Sequence, residues 1–159
     1  MSQKKVLVVY YSRTGTTRKV AEAVARKLDC DLEELVDTKK RSGALGLIGA
    51  GADAHRKKLT VLGELECDPA AYELVVVGTP VWAGTMTPAI RTYLTEHKEG
   101  LPQVAFFLTT GGSGVERTFE DMREVCAKEP VATLALTAKQ VRRQQFAQEI
   151  EGFVGRITE

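Results

Sequence analysis

The 159-residue chain has little of what usually announces a metal, a disulfide or a membrane. It holds three cysteines, Cys30, Cys67 and Cys126, far apart in the sequence and joined by no CxxC or Cys/His cluster. A sequence-local zinc site or redox dithiol is therefore excluded. No apolar run approaches the ~20 residues of a membrane span. Neither sign of charge dominates, since 22 Lys+Arg against 21 Asp+Glu leave a formal charge of +1. That balance argues against a non-specific nucleic-acid binder and against a strongly acidic carrier surface. The dinucleotide fingerprint GxGxxG and the Walker A pattern GxxxxGK(S/T) are both missing. The opening MSQKK runs straight into a β-like stretch with no h-region, and the cysteine count is odd. Both features lead to the expectation of a cytoplasmic location without a membrane span.

What is present reads as one α/β domain over residues 1–159. A chain of this length buries roughly 70% of its extended-chain surface, so it needs no staple. Residues 6–11, VLVVYY, are apolar on both alternations, the pattern of a parallel strand buried on both faces. Thr16 or Thr17 can cap a helix through about Leu28, with Val20, Ala21, Val24 and Ala25 on its apolar stripe. A weaker strand is expected over 31–36, and two clear core strands over 73–78 and 104–109. Helices follow over 88–97, with Pro88 in the first turn, over 116–128, and over 140–157 beyond a last strand at 131–136. Alternation of this kind implies a three-layer domain around a parallel sheet. Residues 41–62 admit two readings: a glycine-weakened crossover helix covering the sheet, or a mobile lid or partner surface.

Open α/β sheets bind ligands outside the carboxyl ends of their strands, where the strand order reverses. After the first strand comes Ser12-Arg13-Thr14-Gly15-Thr16-Thr17, opening a helix. Its backbone N–H groups and hydroxyls suit one terminal phosphate, although the same residues could simply cap the helix. After the third strand comes Thr79-Pro80-Val81-Trp82-Ala83-Gly84, which carries the only tryptophan. Trp82 either packs the sheet edge or lies against a planar ligand. After the fourth strand, Thr110-Gly111-Gly112-Ser113-Gly114 brings backbone close to a ligand. None of the three loops contains Asp or Glu.

Together these loops resemble those of the flavodoxin family and its short-chain relatives, from Lys4 to about Gly155. The resemblance implies a flavodoxin-like three-layer sandwich, a five-stranded parallel sheet in order 2-1-3-4-5 with helices on both faces. It implies FMN as cofactor. Ser12, Thr14, Thr16 and Thr17 would hold its phosphate, with Arg13 and Gly15 shaping the loop. Trp82, on the loop begun by Thr79 and Pro80, would cover one ring face. Backbone groups of Val81, Ala83 and Gly84 in this first ring loop, and of Gly111 and Gly112 in a second ring loop running from Thr110 to Gly114, would meet the pyrimidine and N5 edges. The chain departs from the family in three ways. The second ring loop has no aromatic residue, leaving one flavin face open. Ala83 stands where many members have glycine after the tryptophan. The acidic surroundings of classical flavodoxins are absent.

Three functions are consistent with this reading. The first is a one-electron carrier exchanging electrons with a redox protein partner. The second is an NAD(P)H-dependent FMN or quinone oxidoreductase, which an open flavin face and a more accessible hydroquinone would suit. The third is a binding module with a vacant site. No side chain stands out as a catalytic proton donor: His97 lies near a predicted helix C-terminus, and His55 belongs to a polar HRKK run. Lys39, Lys40 and Arg41 read as a solvated turn that could also steer an anionic cofactor or an acidic partner. The three thiols read as buried and inert.

Overall fold

The computed structural model describes residues 4–39 and 43–159, with backbone alone for 43–48. Its strands are β1 (Val6–Tyr10), β2 (Asp31–Glu34), β3 (Leu74–Pro80), β4 (Gln103–Thr110) and β5 (Thr133–Thr137). Its helices are α1 (Thr16–Leu28), α2 (Gly43–His55), α3 (Pro88–His97), α4 (Val115–Cys126), α5 (Ala138–Arg142) and α6 (Ala147–Thr158). All strand pairs are parallel, and the order is β2-β1-β3-β4-β5, as the resemblance implied.

Every residue of β1 is buried because both faces of the sheet are covered. Val6, Val8 and Tyr10 pack with Val20, Val24, Val141 and Phe153 on one face. Leu7 and Val9 pack with Ile90, Tyr93 and Met122 on the other. Alternate residues of one strand thus feed two cores, which is why its hydrophobic run is unbroken. The sheet is built outward from β1 in both directions, so the loops after β1 and β3 diverge and leave a crevice at the strands' carboxyl ends. Gly78 pairs with Phe107 across β3 and β4. A Cβ on Gly78 would fall 2.0 Å from the Phe107 Cζ, so the ring occupies the space a side chain would need.

Several boundaries differ from the sequence reading. β2 stops at Glu34 instead of reaching Val36. Beyond Leu35 the chain pairs antiparallel with a later segment, Asp37 opposite Leu62, with Gly63 N–H on the Val36 carbonyl at 2.8 Å. The helix expected over 140–157 is two helices. Thr137 and Gln140 form a reciprocal capping box that starts α5 early. Gln144, at φ 55, then ends it, and α6 begins after Phe146. Thr16 and Thr17 do not cap α1. Gly15 occupies that position in the left-handed region, φ 101, and no side chain caps the helix. Gly114, at φ 83, plays the same part for α4, which closes at Ala127 before reaching Lys128. Residues 43–55 form a helix between β2 and β3, with Ala50 and Ala54 buried. Lys40 and Arg41 lie outside the described residues. Among those described, no helix is long and apolar enough to cross a membrane.

Candidate functional site

The loops after β1, β3 and β4 meet at the carboxyl edge of the sheet, and their own hydrogen bonds fix much of the geometry. In the first, Ser12 Oγ accepts from Gly15 N–H at 3.0 Å and closes a short turn. The first helical bond of α1 runs from Lys19 N–H to the Gly15 carbonyl, 3.1 Å. The amides of Thr16, Thr17 and Arg18 therefore have no partner within the helix. No acidic residue stands in the first turn, and a Cβ on Gly15 would meet nothing within 4 Å. Free amides, the positive end of a helix dipole and open space form a nest for an anion. Thr14 is exposed, while Ser12, Arg13 and Thr16 are half-buried. Thr17 differs: it is buried, and its hydroxyl shares a 2.8 Å hydrogen bond with that of Thr109. The Thr17 side chain ties α1 to β4, and only its backbone faces the nest.

The second loop is a tight turn. Trp82 N–H donates to the Thr85 carbonyl at 2.9 Å, and Thr85 N–H returns the bond to Trp82 at 3.1 Å. The central residues Ala83 and Gly84 both have positive φ, 50 and 83, as a type I′ turn requires. The Trp82 indole is half-buried and stands edge-on to Tyr11, ring centroids 5.4 Å apart. Val81 N–H donates to the Thr109 carbonyl at 2.9 Å, fastening this loop to β4. The Thr79 hydroxyl is turned inward, donating to the Pro80 carbonyl and accepting from Thr87 N–H. Thr79 therefore closes the base of the loop, and Thr87 caps α3 just beyond it.

In the third loop, the Thr110 hydroxyl donates to the Ser113 carbonyl and accepts from the amides of Gly112 and Ser113. Gly112 N–H is thus directed back into the loop. Gly111 and Gly112 are exposed, with open space where side chains would stand. Gly114 is packed instead: its Cβ would lie 2.8 Å from Val81 Cγ1 and 3.2 Å from Gly84 Cα. The second and third loops therefore interlock.

Tertiary structure adds residues that the loop motifs do not contain. Thr85 is fully buried, and its hydroxyl donates to Asp121 Oδ2 on α4 at 2.5 Å. Arg91 Nη2 on α3 donates to the same hydroxyl at 3.2 Å and lies 3.9 Å from Asp121 Oδ2. Lys57 Nζ stands 3.8 Å from Asp121 Oδ1. Burial holds the Arg91 guanidinium below its ordinary pKa, with Asp121 opposing that shift. At the solvent side, Arg117 Nη1 lies 3.9 Å from where a Cβ on Gly84 would stand. No local pattern singled out Arg91 or Asp121, whose helix neighbours three and four positions away include Thr87 and Thr95 for the first and Arg117, Thr118 and Glu124 for the second. Nothing local marked Arg117.

The flavodoxin family model matches residues 52–152, well over half of the chain. The chain belongs to the flavodoxin family. Among solved structures, this family member is similar to a flavoprotein of Lactobacillus acidophilus in complex with FMN. The two are 26% identical, with a TM-score of 0.73 over 88% of this chain and 97% of the other. A protein of Bacteroides eggerthii, 21% identical, shares the fold with a TM-score of 0.71 over 89% and 96% of the two chains. An NADH:FMN oxidoreductase, 15% identical, shares it more distantly, TM-score 0.54, over 96% and 86%. No curated protein matches the chain.

Proposed function

We propose that this flavodoxin-family chain is a single-domain, cytoplasmic electron-transfer protein that exchanges electrons with a redox protein partner. Its cofactor is FMN. When bound, FMN supplies the one- or two-electron redox chemistry that no side chain here can provide. The observation that carries the reading is the nest at Gly15. It is an acid-free helix N-terminus with unpaired amides and open space, set beside a turn that carries the only tryptophan. A terminal phosphate is the anion such a nest suits best. In this proposal the Ser12, Thr14 and Thr16 hydroxyls and the 15–17 backbone hold the phosphate. Trp82 offers its indole to the ring. Val81, Ala83, Gly84 and Gly111 offer backbone groups to the ring edges, with Thr79, Pro80, Thr110, Gly112 and Gly114 shaping the loops that present them.

A second reading, an NAD(P)H-dependent FMN or quinone oxidoreductase, is favoured by charge. The three loops hold no carboxylate, and Arg117 flanks Gly84 with no ion pair or hydrogen bond among the described residues. A cation there would lessen the penalty on an anionic reduced flavin and could attract an anionic nucleotide. Anaerobic photoreduction of the FMN-loaded protein separates the two, with NADH and NADPH tested separately. A carrier passes through a stable one-electron state and ignores both nucleotides. Rapid bleaching by either nucleotide would instead establish the reductase, and failure to load FMN would remove both readings.

A further inference from the structure

We propose that Asp121, held by Arg91 and Lys57, is a positioning residue for the flavin site. It would act through the Thr85 hydroxyl to fix the 82–85 turn, and so set the affinity and reduction potential of FMN there. The proposal rests on the FMN reading above and names residues that lie outside all three loops.

The turn needs an external anchor. Its first central residue, Ala83, sits in the left-handed region, where a Cβ meets the following carbonyl. Such a conformation persists only when its surroundings over-determine it. Thr85 makes both backbone bonds that close the turn, so whatever holds Thr85 holds the turn. Its side chain is held from two sides, by the carboxylate of Asp121 on α4 and by the guanidinium of Arg91 on α3. Lys57, from the segment following α2, approaches the other carboxylate oxygen. Two helices therefore converge on the hydroxyl of Thr85, and a third segment steadies the carboxylate that one of them supplies.

The composition of this cluster argues for a role beyond stability. Arg91 and Asp121 are only 6% and 7% exposed. Arg91 Nε is buried with no hydrogen-bond partner. Replacing a buried ion pair of this kind by apolar side chains of similar volume is often neutral or stabilising. An imperfectly satisfied buried network serves position better than it serves packing. Its charge matters as well: two cations and one carboxylate leave the region behind the turn net positive. Asp121 moderates that field while aligning the hydroxyl.

The test compares the FMN-loaded wild-type chain with Thr85→Val, Thr85→Ser and Asp121→Asn. FMN Kd is read by fluorescence titration, the midpoint potential by redox titration, and turn closure by amide exchange at Trp82 and Thr85, the two donors of the closing bonds, in the apo chain. Thr85→Val keeps the shape and removes the hydroxyl, so Kd should rise about ten- to a hundredfold, with faster exchange at both amides. Thr85→Ser should restore both. Asp121→Asn keeps an acceptor but removes the negative charge, so the midpoint potential should move to a more positive value. Unchanged Kd, potential and exchange in Thr85→Val, even with a lowered melting temperature, would overturn the positioning role while leaving FMN binding intact. Failure of the wild-type chain to take up FMN would overturn the FMN reading and, with it, the affinity claim. In that event the exchange comparison would still decide whether the hydroxyl holds the turn.

Discussion

Gly114 and Val81 lock two loops together: a side chain on Gly114 would press its Cβ to within 2.8 Å of Val81 Cγ1. Gly114 also has φ 83, so an alanine there meets a clash and backbone strain at once. Gly114→Ala should destabilise the chain by about 1–3 kcal/mol and weaken FMN binding beyond that loss. Thermal melts with and without FMN measure both. Equal melting temperatures would show that the two loops are not coupled.

Thr14, Thr16 and Thr17 should separate into two kinds. Thr14→Ala with Thr16→Ala should leave the apo protein's stability nearly unchanged and sharply weaken FMN binding. Thr17→Ala instead strips the buried Thr109 hydroxyl of its partner and should lower apo stability by about 1–3 kcal/mol. Urea titration of the apo forms, set against FMN titration, distinguishes them. A Thr17 variant that loses FMN but no stability would return that hydroxyl to the phosphate nest.

Ala83→Gly should stabilise the chain by about 1 kcal/mol, because glycine adopts φ 50 without the Cβ penalty. The urea midpoint of the apo protein reports it. A decrease would mean that the alanine methyl makes contacts worth more than the strain.

Gly78→Ala should be among the most disruptive single-methyl additions, since the Phe107 ring fills the space. Phe107→Leu in the same chain should recover part of the lost stability. Failure of that pair to compensate would mean that the backbone, and not the ring, limits the site.

Cys30 gives a pH dependence with a definite sign. Burial first, then Asp31 and Asp29, raises its pKa to about 11 from an ordinary 9.0. Between those values the unfolded chain has lost a proton that the folded chain keeps, so stability should fall as pH rises through this window. Below pH 9 this group should contribute no slope. Alkylation of Cys30 should likewise be slow near neutral pH. Cys30→Ala should flatten the alkaline fall in stability, and an unchanged slope would assign it to other groups.

The sheet was legible because hydrophobicity on both alternations of 6–10, 74–77 and 104–108 has one common cause, burial between two helical layers. The loops at residues 12–17, around Trp82 and at residues 110–114 were legible because turns, helix starts and close backbone approach restrict residue type locally. Boundaries were harder. The break at Gln144 depends on how α5 caps itself over β5, and the end of β2 depends on a segment 25 residues further on, Leu62 opposite Asp37.

By itself the sequence determined a doubly covered parallel sheet and three polar or glycine-rich loops at the carboxyl ends of its strands, since both follow from local chemistry and periodicity. Only the tertiary structure decided which hydroxyls face the crevice and which hold the frame. Thr17 and Thr109 meet across 92 positions, and Thr85 and Asp121 across 36. A hydroxyl is equally at home on a phosphate, a backbone group or a carboxylate. Its role is set by what the fold brings within about 3 Å of it, and no local pattern carries that distance.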